Sequence, residues 1–242
     1  MSILTGRLDR KTSLLIKKAL RSQVEMGAEE IIINPKRIAA IRKNLAANGK
    51  KENAPRFRSL AQHEQSICDC RKCPLGATRT KFVYGAGNLN AKVLFVGEAP
   101  GRDEDLQGVP FVGRAGQLLD KILAAINFSR DDVYIANILK CRPPGNRDPQ
   151  PDEMLACMPY LMEQIRMIKP KVICALGRIS AQALLQTTTP LGKLRKQWHD
   201  FHGIPFLVTY HPAALLRFPS YKRDVWEDVL MLRARYDELT SE

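Results

Sequence analysis

No stretch of this 242-residue chain approaches the roughly 20 uninterrupted apolar residues of a membrane-spanning helix, and its first residues lack the apolar core of a secretory signal. A membrane-spanning helix is therefore not expected, and a cytoplasmic location is. There is no internal repeat and no low-complexity tract, which argues against solenoid and fibrous architectures. Cysteine is scarce, at six residues, and in the reducing cytosol six thiols do not read as a disulfide framework. Metal ligation becomes their leading use.

Acidic side chains are also in deficit, 25 against 38 Lys and Arg, giving a net charge of +13. The imbalance is local. Residues 1–60 hold 14 basic and 5 acidic side chains, a net +9, which leaves +4 for the remainder. Such a field attracts polyanions, of which nucleic acid is the commonest in a cell, although a solvated basic face has the same composition. Helical spacing of apolar residues runs from Leu8 to Met26 and from about Pro35 to Ala47, followed by a polar linker at 48–55. The expected organisation is a basic, mainly helical extension over residues 1–60 and a globular domain over 61–242.

That domain, in a chain 45% hydrophobic and 26% charged, alternates strand-like and helix-like segments. Strands are predicted near residues 92–96, 133–139, 171–176 and 205–210, and helices near 115–126, 151–168, 180–186 and 221–236. Four buried-type strands separated by helices imply an α/β fold with a short, mostly parallel four-stranded sheet covered on both faces. Two strands run straight into polar motifs. Val93-Leu94-Phe95-Val96 leads into Gly97-Glu98-Ala99-Pro100-Gly101, and Phe206-Leu207-Val208-Thr209-Tyr210 into His211-Pro212-Ala213. Open α/β sheets gather ligands at the carboxyl ends of their strands, so Glu98 and His211 are expected to face one cleft.

Cys70 and Cys73 form a C-x2-C pair, and Cys141 and Cys157 stand much further on. Two near and two distant ligands suit a structural metal site, and zinc or a four-iron cluster fits the spacing. Cys68 is a rival first ligand. Cys174 lies inside an apolar run and reads as core.

With these cysteines, four stretches in fixed order carry a resemblance. Gly97-Glu98-Ala99-Pro100-Gly101, Pro110-Phe111-Val112-Gly113-Arg114-Ala115-Gly116, Asn137-Ile138-Leu139-Lys140-Cys141-Arg142-Pro143-Pro144 and His211-Pro212-Ala213-Ala214-Leu215-Leu216-Arg217 resemble the family 4 uracil-DNA glycosylases. The match covers roughly Ser66 to Arg235 and leaves residues 1–60 outside. It implies a three-layer α/β/α sandwich, DNA containing uracil as partner, a monomer sufficing for the chemistry, and a structural [4Fe-4S] cluster on Cys70, Cys73, Cys141 and Cys157.

The same resemblance distributes the remaining roles. Phe111 stacks on the flipped uracil, the Asn137 amide reads its edge, and Gly97 and Ala99 border the base. His211 stabilises the departing anion. Related families carry an Asp where this chain has Ala99, so the carboxylate is expected from Glu98 or Glu104. Leu215, with Leu216 as substitute, is the expected wedge in the base stack. Arg142, Arg147, Arg178 and Arg217 are expected along the DNA backbone. Covalent relatives carry a histidine in a basic loop, and the stretch after Cys141 has none. A glycosylase for another base and a non-catalytic iron–sulfur DNA-binding module are the competing functions.

Overall fold

The structure, a computed structural model, describes residues 57–241. The helices expected near 8–26 and 35–47, and the linker after them, lie outside the described residues. Two short helices, α1 (Leu60–Ile67) and α2 (Leu75–Thr78), precede strand β1 (Ala86–Gly87). Then come β2 (Val93–Gly97), α3 (Arg102–Gln107), α4 (Arg114–Ala125), β3 (Val133–Asn137), α5 (Pro151–Ile168), β4 (Val172–Leu176) and α6 (Arg178–Leu185). The chain closes with α7 (Leu191–Leu194), β5 (His199–Phe201), β6 (Ile204–Thr209), α8 (Pro212–Arg217) and α9 (Tyr221–Thr240).

The sheet has six strands rather than four, in the order β1-β3-β2-β4-β6-β5. The expected four form its parallel centre, with Phe95 opposite both Ile135 and Cys174. The additions, β1 and β5, are antiparallel edges of two and three residues, too short to leave a hydrophobic period.

Every residue of β2, β3 and β4 is buried, because alternate side chains feed two different cores. Leu94, Val96, Tyr134, Ala136, Ile173 and Phe206 pack with residues of α1, α5 and α6. Val93, Phe95, Val133, Ile135, Cys174 and Leu207 pack with residues of α4 and α9. The result is the three-layer α/β/α sandwich, and Cys174, fully buried, is one of its core residues. Among the described residues no helix is long and apolar enough to cross a membrane.

β2 has β3 on one side and β4 on the other, so the chain changes direction across the sheet at β2. A crevice outside the carboxyl ends of these strands follows from that switch.

A buried ion pair ties α9 to the end of β6. Asp228 accepts from Arg195 Nε and from Thr209 Oγ1, each at 2.7 Å, and both charged side chains are almost wholly inaccessible. Asp228→Ala would leave the Arg195 guanidinium buried beside only the half-exposed Asp224. Loss of about 3–5 kcal/mol of unfolding free energy is expected from denaturant titration.

Candidate active site

The ends of β2, β3 and β6 open on one cavity of about 340 Å³. Glu98 and Ala99 enter it from the end of β2, Asn137 from β3, His211 from the β6–α8 turn, and Ala213 and Arg217 from α8, while Phe111 comes from the α3–α4 connection.

Asn137 is 2% exposed, and its Oδ1 has no hydrogen-bond partner among the described residues. An unpaired buried acceptor costs about 1–3 kcal/mol, so a free lone pair on a cavity wall marks a place for a ligand's N–H. The amide reaches the cavity because Gly97 is glycine. A Cβ there would come within 2.3 Å of Asn137 Oδ1 and 2.7 Å of Phe111 Cζ. Below it, the buried Lys140 donates from Nζ to Asn137 O at 2.9 Å and to Gln164 Oε1 at 2.6 Å.

Phe111 adopts φ +55°, a left-handed conformation that is strained for a bulky side chain. Arg130 holds it there, donating to the carbonyls of Pro110 and Phe111 while its Nε pairs with Asp120 at 2.7 Å. The Phe111 and His211 rings face each other with centroids 5.3 Å apart and planes 30° apart.

His211 is the N-cap of α8, and its Nδ1 accepts the Ala213 N–H at 3.1 Å. A neutral imidazole that accepts at Nδ1 carries its proton on Nε2, so the remaining nitrogen is a donor. Burial, helped by the nearby Arg217 charge, pushes the ring's pKa down to about 4, which keeps it neutral at pH 7. Glu98 moves the other way. Burial, reinforced by Asp148 against a smaller pull from Arg178, raises its carboxyl to about 7. One cavity therefore joins a neutral donor, an unpaired amide oxygen and a carboxyl poised to exchange a proton near neutrality.

The uracil DNA glycosylase superfamily profile matches residues 84–230, a segment that contains every cavity residue just described. The chain belongs to the uracil DNA glycosylase superfamily. It is 47% identical to the type-4 uracil-DNA glycosylase of Archaeoglobus fulgidus, over 70% of this chain and 89% of that protein. The type-4 uracil-DNA glycosylases of Saccharolobus solfataricus (46%, over 66% of this chain and 78% of that protein) and Pyrobaculum aerophilum (42%, over 71% and 92%) are similar to it across the same domain.

In this superfamily member the cavity gathers Glu98, Ala99, Glu104, Phe111, Asn137, Arg147, His211 and Arg217, with Gly97 directly beneath. Two of the expected site residues are engaged with the protein itself, and one expectation is corrected. Glu104 is a positioning residue: its carboxylate accepts from the N–H groups of Gly101, Val112 and Gly113 at 2.9–3.1 Å, clasping the two loops that shape the cavity. Arg147 is not a free cation, because it forms a two-pronged pair at 2.6 and 2.9 Å with the buried Glu153. Leu215 is 2% exposed in the core beside α4 and α9, whereas Leu216 is 49% exposed. Leu215 cannot be a wedge from that position, and Leu216 is the side chain presented outward.

Arg142 and Arg178 do not line the cavity. Arg142 donates to Asn146 Oδ1 at 2.7 Å, and Arg178 forms an exposed pair with Asp148 at 2.8 Å. Asn146, Arg130 and Lys140 were missed by sequence reasoning. The turn Pro143-Pro144-Gly145-Asn146 offered a signal for the first, and no local pattern marks the long reach of the other two.

The cysteines lie on the face of the sheet covered by α5. Cys141 and Cys157 are buried, and Cys70 and Cys73 pack against the same core. Burial raises the Cys141 thiol against a pull from Arg79, with Cys73 and Cys70 pushing it further up, and Cys141 and Cys73 act the same way on the buried Cys157, so the four side chains share one neighbourhood. Among the described residues no three His, Cys, Asp or Glu groups are placed to hold a single metal ion. Donors nevertheless converge on the sulfurs. Tyr160 Oη donates to Cys70 Sγ at 3.1 Å, Arg79 Nη1 to Cys141 Sγ at 3.4 Å and Lys140 N to Cys157 Sγ at 3.3 Å. Such N–H and O–H bonds are what thiolate ligands of a cluster receive, and the donor set fits one. Cys68 points elsewhere, to Gln65 O.

The burial contrast on α8 gives a direct check. Leu215→Ala should lower unfolding free energy by about 2–5 kcal/mol and Leu216→Ala by no more than about 0.5 kcal/mol, both read from denaturant midpoints.

Proposed function

We propose that this protein removes uracil from DNA by hydrolysing its N-glycosidic bond, leaving an abasic site in an uncut strand. The unpaired Asn137 Oδ1 carries the reading. It can accept N3–H of uracil while the amide NH2 faces O4, whereas cytosine presents an acceptor at N3 and a donor at C4. A base with the reversed pattern would bury like against like, which discriminates strongly.

A uracil within duplex DNA must leave the stack to reach this cavity, at an unstacking cost of about a few kcal/mol. Leu216, on the exposed side of α8, is assigned to fill the vacated place, and Phe111 to stack on the extruded ring. As the C1′–N1 bond breaks, the electron pair leaves on N1 and spreads to O2. The His211 Nε2–H donates to that oxygen, and because the ring is neutral it stabilises the anion without first surrendering a proton. Water attacks C1′ and passes its proton to the ionised Glu98. Arg142, Arg178 and Arg217 are assigned to flanking phosphates, and the basic residues 1–60 to long-range attraction of the strand.

The cysteines Cys70, Cys73, Cys141 and Cys157 are assigned to a [4Fe-4S] cluster. Its contribution is structural, since hydrolysis moves no electrons between redox states. Clamping the segment around Cys70 to the Lys140–Arg142 loop would order residues bordering the cavity.

Four measurements test this reading. Incubation with an oligonucleotide containing one uracil, followed by alkali, should give a strand break absent from a uracil-free control; tight binding without release would favour a non-catalytic module. Single-turnover release should rise with pH through about 7 as Glu98 ionises and then level off. His211→Ala should lower the rate roughly 10²–10³-fold with DNA affinity little changed. Independently, the purified protein should contain iron and acid-labile sulfide in equal amounts, both lost in Cys157→Ala; zinc without sulfide would overturn the cluster assignment.

A further inference from the structure

Helix α8 is a ridge between two hollows. Ala213, Ala214 and Arg217 face the base-sized cavity, whereas Leu215 and Leu216 border a second groove of about 420 Å³. The far wall of that groove is one stripe of α4, with Arg114, Gln117 and Lys121 at helical spacing, and its floor is completed by Lys222 at the start of α9. All three cations are exposed, and no acidic residue lines the groove. None of the three has an ion-pair partner among the described residues, unlike Arg130, Arg147 and Arg178.

We propose that this groove seats the phosphates of the complementary strand when the protein holds a duplex. The inference rests on the function proposed above and extends it to a strand that no catalytic residue touches. If the flipped nucleotide enters the cavity on one side of α8 and Leu216 on the crest takes its place, the orphaned partner nucleotide and its strand lie on the other side, over the groove. Charge and span agree with that occupant. Arg114 and Lys121 are two helical turns apart, about 10 Å, the rise of about three nucleotides along one strand. Single-stranded substrate has nothing to place there, so the groove separates duplex from single-strand binding.

The test uses oligonucleotides carrying one tetrahydrofuran abasic-site analogue, which the protein cannot consume, as duplex and as single strand. Fluorescence anisotropy would follow affinity against salt for the wild type and for the triple variant Arg114→Gln, Lys121→Gln, Lys222→Gln. On the duplex the slope of log K against log salt should flatten by about 2–3, since each phosphate contact contributes about 0.9. On the single strand it should change by less than about 1. Lys222→Gln alone should remove about one unit from the duplex slope. Equal losses on both substrates, or no loss on the duplex, would overturn the proposal. Absence of uracil release by the wild type would instead refute the function while leaving the duplex comparison readable.

Discussion

Burial of the parallel strands on both faces decides where chemistry can sit in this protein. β2, β3 and β4 have no solvent-facing side, so an ionisable group in mid-strand would be stranded between two apolar layers. Polar side chains are displaced to the points where the strands end. There the switch in strand order at β2 leaves a gap between connections, and Glu98, Asn137 and His211 arrive in it from separate parts of the chain. Their protonation follows from the same burial. Removal from water pushes the Glu98 carboxyl upward and the His211 imidazole downward, so two groups of opposite type approach neutrality together.

Four further residues hold Asn137, Phe111 and their loops in place. Gly97 matters for the side chain it lacks, which leaves room for the amide of Asn137 and the ring of Phe111. Glu104 binds two loops through three backbone amides, and Arg130 fastens the strained Phe111 from outside. Lys140 joins the end of β3 to the cysteine region, with its side chain on Asn137 O and its backbone N–H on Cys157 Sγ. One residue thus touches both a cysteine and the cavity wall.

The large elements were legible in the sequence because each is long enough to show a period. The four central strands and the helices at 114–125, 151–168 and 221–240 fall within a few residues of their expected positions. The edge strands were not legible, since two or three residues carry no alternation and are defined by the neighbour they pair with. Leu215 and Leu216 show a sharper limit. α8 is six residues long, and which of two adjacent leucines turns inward depends on where α4 and α9 lie. The motifs located the cavity lining well, but Glu104, just after the first motif, holds two loops through their backbone amides, while Arg130, remote from every motif, supports a site residue. Residue type marks capacity for chemistry, and only the fold assigns the partner.

The capping bond of His211 joins two properties that are usually separate. The proton's place on the imidazole is fixed by the first turn of α8, and the same short helix carries Leu216 at its other end. A helix of six residues is less than two turns long, so its two ends lie within about 9 Å of each other. The exposed leucine and the capped imidazole are borne on one short segment, so the orientation of the hydrogen-bond donor and the placement of the outward side chain have a common support.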